Sequence, residues 1–358
     1  MLESILNNNE YIYMRNMALF VVITGLSVLL TFICRKYIRI MDLANVRSSH
    51  TGAIPRSGGI AIVLSFSIGF LIYALFGSQG YASVVPLWVF FLASLMIAIV
   101  SLYDDITNKA FAHKFIGHFI GVVILILFGL SIKKLSMPFL GTVDLGWWGY
   151  LLTILWVVGI TNTFNFMDGI NGLAAGTAVI VGISFTLITF IIGGGFAFHM
   201  SYLLAAAALG FLFWNFPKGS IFMGDVGSAF LGFSFGALAL LAGNFDKTHV
   251  SFMVMPILFS HFILETFFTV VWRQLKGYKI HKAHKMHPYQ LLTQIGVAPK
   301  KVTIIYYIQT LILALVAYLY VSYDQTIKGI LLSTVVVLYF IYFTVVHLLV
   351  KKHKIPLI

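Results

Sequence analysis

Apolar residues occupy this chain in long blocks separated by short polar segments. Eleven blocks approach the roughly 20 mainly apolar residues that a membrane-spanning helix requires. They fall at 17–34, 58–76, 84–102, 114–130, 147–161, 173–192, 199–216, 227–243, 250–272, 302–321 and 327–349, the fifth and seventh being short or interrupted. The pattern predicts an all-α polytopic membrane protein with about 11 transmembrane helices.

Composition agrees: 60% of the 358 residues are hydrophobic and 9% are charged, too apolar for a soluble domain. The first block could be taken for a secretory signal. No small-residue cleavage site follows it, however, and Arg35 and Lys36 close it, so it is expected to be retained. The single cysteine, Cys34, excludes an intramolecular disulfide and any cysteine metal cluster. A net charge of +12 raises the question of nucleic acid, but the basic residues lie in short loops between spans, so no nucleic-acid partner is expected. With the N-terminus outside, 18 of the 23 Lys and Arg fall in inner loops and the C-terminal tail and 5 in outer segments. That asymmetry favours an outside N-terminus and a cytoplasmic C-terminus. No repeat or linker divides the chain, and 1–358 reads as one membrane domain whose largest inner loop is 273–301.

The acidic residues follow the same topology. Asp42, Asp104, Asp105, Asp168 and Asp225 map to the inner side, whereas Glu3, Glu10, Asp144, Asp246 and Asp324 map outside. Glu265 alone sits within an apolar block, and a helix-packing role is assigned to it. In "LYDDITNKAFAHK" (102–114), Asp104 and Asp105 point about 100° apart on a helix. One can address a metal and the other a second reactant, or both can be a solvated capping pair. In "FMGDVGSAFLGF" (222–233), Asp225 lies between Gly224 and Gly227, as an anion-facing helix start or a simple N-cap. In "NTFNFMDGINGL" (162–173), Asn162, Asn165, Asp168 and Asn171 recur every third residue and fan along one side of a helix, with a turn expected just after Asp168. "KIHKAHKMHPYQLL" (279–292) interleaves His281, His284 and His287 with lysines. That composition fits a cationic, proton-donating wall for phosphate better than zinc, and an ordinary basic loop against lipid headgroups is the competing account. Hard carboxylate oxygens suit Mg²⁺, or Mn²⁺, working with substrate phosphates.

Together these motifs resemble the polyprenyl-phosphate N-acetylhexosamine-1-phosphate transferases, of glycosyltransferase family 4 type, which include undecaprenyl-phosphate N-acetylglucosamine-1-phosphate transferase. "DDITN" resembles the paired-aspartate motif, "NTFNFMDGING" the Asn and Asp loop, and "FMGDVGSAFLG" the Gly-Asp-x-Gly-Ser motif. "DLANVRSSHTGAIPRSGGI" (42–60) and "AHKMHPYQ" (283–290) resemble the branch serving O-antigen and capsule synthesis. Asn171 stands where many members have a second aspartate, Ala44 replaces a common proline, and the late histidines are spaced HxxH.

The resemblance implies a bacterial inner-membrane enzyme, active on the cytoplasmic face, that moves an N-acetylhexosamine 1-phosphate from a UDP-sugar to undecaprenyl phosphate and releases UMP. It implies Mg²⁺ on Asp225 with Asp105 and Asp168 near it, and Asp104 orienting or deprotonating the lipid phosphate, or alternatively a carboxylate nucleophile. Asn162 and Asn165 would surround the metal, Asn171 would bear on the nucleotide, and Phe222 would stack on uracil. His284 and His287, with Lys285 and Lys114, would contact phosphate, and Arg47, His50 and Arg56 would be further substrate contacts. A homodimer is compatible with it. The alternative class is a transporter or flippase of a polyprenol-linked substrate, which would be expected to carry ionisable groups near the bilayer midplane.

Overall fold

The computed structural model describes residues 2–38, 40–43, 53–76, 85–107, 111–137, 141–246, 249–279 and 284–354. The chain order is α1 (Leu2–Tyr37), β1 (Met41–Leu43), β2 (Ala53–Pro55), α2 (Gly58–Phe76), α3 (Val85–Thr107), α4 (Phe111–Leu127), β3 (Lys134–Met137) and β4 (Gly141–Asp144). It continues with α5 (Trp148–Met167), α6 (Leu173–Ile191), α7 (Phe196–Asn215), α8 (Gly224–Phe245), α9 (Val254–Leu258), α10 (Ser260–Leu275), α11 (Pro288–Gln294), α12 (Pro299–Ser322) and α13 (Gln325–Lys352).

Each of the eleven apolar blocks falls on helix, but the described residues contain nine helices long and apolar enough to span a membrane. The fourth block forms only a shorter apolar helix, Lys114–Leu127. The ninth is divided at Phe259, where Ser260 Oγ donates to the Ile257 carbonyl, and Pro256 sits in the first turn of α9, where a missing N–H is tolerated. Side-chain insertion into the ladder is an ordinary cause of a helix break. The chain is also not purely helical: β1 pairs antiparallel with β2, and β3 with β4.

The core is organised around α8, buried from Val226 to Ala242 on every face. It packs chiefly on α3 and α5, and further on α2 and α7, while α1 covers α2 and α7 and α6 lies between α7 and α12. Small residues permit the approach, as between helices in lipid. A Cβ on Gly59 of α2 would lie 2.2 Å from the Gly227 nitrogen of α8, and one on Gly232 would lie 2.9 Å from Thr161 Cα of α5. Several hydroxyls inside the bundle bond back to their own helix, as Thr161 does to Val157 O and Ser65 to Ala61 O.

The two ends of the bundle differ. At one end lie the C-terminal ends of α3, α5 and α7, the N-terminal end of α8, the β1–β2 hairpin and α11. At the other, ~30 Å away by the rise of a 20-residue helix, are β3–β4, the exposed Trp147 and Trp148, and Asp246.

Candidate active site

The α5–α6 corner carries the first wall. α5 ends at Met167, Asp168 leaves helical geometry (φ −85°, ψ 46°), and Gly172 caps α6 at φ +80°, a left-handed conformation that favours glycine. Asn215 Oδ1 accepts the Gly172 N–H at 2.7 Å, and Tyr307 Oη donates to the Gly172 carbonyl. This places Asn165, Asp168 and Asn171 on one cleft, as the three-residue spacing suggested. Asn162 is not on its wall: its amide donates to Val158 O within α5, one turn deeper in the bundle. Each step of three residues also descends ~4.5 Å along the helix, so a shared side does not carry Asn162 up to a cleft at the helix end.

The second wall is the junction of α3 and α8. Gly224 begins α8 at φ +71°, where a Cβ would lie 2.3 Å from the Arg56 carbonyl and 2.8 Å from Asp105 Oδ2. Asp105 is 4% exposed, and its Oδ2 accepts the Val226 N–H at 3.0 Å, so this carboxylate holds the start of α8. Arg56 pairs with it at 3.8 Å and donates to its carbonyl oxygen at 2.5 Å. Asp104, one residue earlier and rotated about a quarter turn, faces Asp225, Lys114 and Arg56; its Oδ1 is buried without a hydrogen-bond partner. Asp225 is held on both oxygens: Lys114 Nζ lies 2.8 Å from Oδ2, and Asn165 Nδ2 donates to Oδ1 at 2.6 Å and also to Ser228.

Arg56, Asp105, Asn165, Asp168 and Asp225 border a cleft of about 410 Å³ that also takes in Phe222, Asn171, Lys218 and Gln290, whereas Asp104 and Lys114 stand behind its wall. Burial holds the Asp168 carboxyl well above the ordinary carboxylate range, reinforced by the negative charges of Asp225 and Asp105. Among the described residues no three His, Cys, Asp or Glu side chains converge as a metal cage. The set does fit Mg²⁺, which usually takes one or two carboxylates and completes its shell with water and phosphate oxygens. Asp225 and Asp168 are the oxygens that could hold it.

The histidine motif stands beside this cleft, not on its wall. His287 precedes α11, with its N–H donated to Gln290 Oε1, and its ring lies over Phe166 at 6.0 Å and beside His284 at 5.0 Å. Burial pushes His284 down to about 4, with Arg273 adding to it, and pushes His287 down to about 3, with His284 and Arg273 adding to it. Both rings are therefore neutral near pH 7. Burial beside a guanidinium thus opposes the imidazolium form that the expected cationic, proton-donating wall would use. Lys285 offers its carbonyl to Gln294 on the same segment. His281, Arg47 and His50 lie outside the described residues.

A family model described as glycosyl transferase family 4 matches residues 87–243. The chain is 34% identical, over 75% of its length and 74% of the relative's, to the probable undecaprenyl-phosphate N-acetylglucosaminyl 1-phosphate transferase of Bacillus subtilis strain 168. The chain belongs to glycosyl transferase family 4. It is also 29% identical to the decaprenyl-phosphate N-acetylglucosaminephosphotransferase of Mycolicibacterium smegmatis, over 75% of this chain and 72% of that one. Identity to the phospho-N-acetylmuramoyl-pentapeptide-transferase of Chlamydia muridarum is 36%, over 52% and 61%.

The family 4 segment contains Asp104, Asp105, Lys114, Asn165, Asp168 and Asp225, and excludes Arg56 and the histidine motif. The fold closes both excluded pieces onto it. Phe222 N donates to Pro55 O and Gly58 N to Phe222 O, stapling the first loop to the start of α8. Tyr289 Oη donates to the Phe166 carbonyl, and its ring lies against Gly169, where a Cβ would be 1.9 Å from the hydroxyl. Motif reading alone missed Asn215, Lys218 and Gln290. The polar break "NFPKGS" (215–220) between two spans carried a signal for the first two.

Proposed function

We propose that this family 4 protein transfers an N-acetylhexosamine 1-phosphate from a UDP-sugar to undecaprenyl phosphate, giving the lipid diphosphate sugar and UMP. The observation that carries this reading is the Asp225 carboxylate. It is clamped between Lys114 and Asn165 on a cleft that also collects Asp105, Asp168 and Arg56 at one end of a membrane bundle. The relatives named for polyprenyl-phosphate sugar transfer support the chemistry. Ionisable groups gathered at a bundle end, with transferases as relatives, disfavour the transporter alternative.

In this reaction an oxygen of the lipid phosphate bonds to the sugar-bearing phosphorus as its bond to the UMP oxygen breaks. A phosphate monoester has its second pKa near 6, so the acceptor is largely a dianion at neutral pH. Asp104, with its buried oxygen turned toward Lys114 and Asp225, then serves to orient the acceptor more than to deprotonate it. Lys114 and Arg56 balance the charge of the phosphates, and the neutral His284 and His287 donate hydrogen bonds without supplying a proton. Phe222 offers a ring for the base, and Asn171 an amide for the nucleotide. Mg²⁺, held by Asp225 and Asp168 with Asp105 at hand, would neutralise charge developing on the diphosphate. The finer reading sets this cleft on the cytoplasmic face of a bacterial inner membrane, the N-terminus outside, with the lipid product initiating an O-antigen- or capsule-type polysaccharide.

The test is UMP release by purified protein given a UDP-N-acetylhexosamine panel and undecaprenyl phosphate, with the lipid product identified by mass. Asp225→Asn is expected to abolish release; near-normal release by this variant would overturn the assignment.

A further inference from the structure

A second cavity, of about 630 Å³, opens at the opposite end of α8 from the carboxylate cleft. The cleft takes in Gly224 and Asp225 at the start of that helix, and this cavity takes in Leu240, Gly243 and Asn244 near its finish. Its rim is built by the β3–β4 hairpin and the start of α13. Lys133, Lys134 and Lys328 all line it, and among the described residues no carboxylate does.

Three facts make this concentration of charge informative. First, the topology expected from the sequence puts five of the 23 Lys and Arg in outer segments, and three of those five line the one cavity. Cations on this side run against the bias that places them on the opposite face, so their gathering calls for a counter-charge. Second, the acidic residues described at this end are each bonded to backbone N–H groups, although Asp144 stands opposite Lys134 across the hairpin. Asp144 accepts the Gly146 N–H, Asp324 accepts the Ile327 N–H, and Asp246 accepts from Gly195 and Ala197. Among the described residues none of the three lysines has a carboxylate within 4.0 Å. Third, two of the ammonium groups rest on aromatic faces, Lys133 over Phe245 at 6.0 Å and Lys328 over Tyr320 at 5.3 Å. These rings steady the cations without cancelling their charge.

We propose that this cavity binds a phosphate-bearing group of glycerophosphate size. Lysine ammoniums are compact charges suited to phosphate, and Thr142 and Ser251 add hydroxyls to the lining. The volume lies in the range that houses whole small ligands, so a lone phosphate would leave most of it open. The same chemistry is offered by the headgroup of an anionic lipid and by a soluble glycerol or sugar phosphate. The inference stands apart from the proposed transfer reaction, because it uses none of the cleft residues.

The experiment compares the full chain with the triple variant Lys133→Gln, Lys134→Gln, Lys328→Gln in neutral detergent. Binding of phosphatidylglycerol and of phosphatidylcholine is read by native mass spectrometry, and binding of glycerol 3-phosphate by calorimetry at two salt concentrations. At roughly fivefold per lysine, the wild type is expected to bind its preferred anionic probe about a hundredfold tighter than the variant. The UMP-releasing activity should be unchanged, and the melting temperature without ligand should fall by no more than the loss of two cation–π contacts allows. Salt-sensitive binding of phosphatidylglycerol alone identifies a lipid headgroup site, and binding of glycerol 3-phosphate as well identifies a site open to soluble phosphates. Equal binding by wild type and variant, or no binding of either anionic probe by the wild type, overturns the proposal.

Discussion

Lys114→Met tests how the cleft manages its charges. The ammonium lies 2.8 Å from Asp225 Oδ2, with its side chain 7% exposed against 33% for the aspartate, so the pair is sheltered from solvent on one side. A hydrogen bond to a charged group contributes about 1.5–3 kcal/mol. A divalent cation that takes this oxygen must displace the ammonium and lose that contribution. Methionine keeps the length and removes the charge, leaving Asp104 and Asp105 beside Asp225. Mn²⁺ should therefore bind the variant more tightly, by up to roughly ten- to a hundredfold at 1.4 kcal/mol per decade. Electron paramagnetic resonance of free Mn²⁺ in detergent at pH 8, without substrate, measures this directly. UMP release should fall in the same variant, because the Lys114 ammonium no longer helps to balance the charge of the phosphates. Weaker or unchanged Mn²⁺ binding would refute both the competition and the placing of a cation on Asp225.

The adjacent aspartates should separate in their effects. Asp105→Ala removes the acceptor for Val226 N–H and the partner of Arg56, lowering the melting temperature in detergent, whereas Asp104→Ala should melt like wild type and lose activity. Glu265, 0% exposed, accepts the Tyr289 N–H and the hydroxyls of Tyr306 and Tyr339. Glu265→Ala strands three buried donors at about 1–3 kcal/mol each and should cost several degrees in melting temperature, which an unshifted thermal melt would contradict. The histidines set an acid limit. Their folded values of about 4 and about 3 lie below the unfolded value near 6.5, so the unfolded chain takes up protons that the fold refuses. Their contribution, present above pH ~6.5, is lost as pH falls toward 4 and then 3, and His287→Gln should flatten that part of the melting profile.

Much of the fold is legible in the sequence because membrane spans announce themselves through sums over about 20 residues. The apolar blocks mark the helices, and the glycines at 169 and 172 mark the α5–α6 turn. The two hairpins escape this reading: four strands of three or four residues offer no alternation long enough to register. The division of the ninth block becomes visible only where Ser260 competes for a backbone carbonyl.

The site was legible as a set of residues and not as a set of roles. Helical geometry alone says that Asp104 and Asp105 face different ways; it does not say which way either faces. That is settled by the N–H of Val226, 121 positions away, which claims Asp105 and thereby turns Asp104 toward Lys114. The histidines follow the same logic. Their interleaving with lysines suggested a cationic surface, yet the fold buries His287 between Phe166 and Tyr289, near Arg273. Burial then decides their charge against their sequence neighbours. Asn162 fails to reach the cleft for a further reason: it lies about one turn of α5 below Asn165, and its amide bonds back to Val158 O inside the bundle. In each case the residue type is local information, while its ionisation and direction belong to partners supplied by another helix.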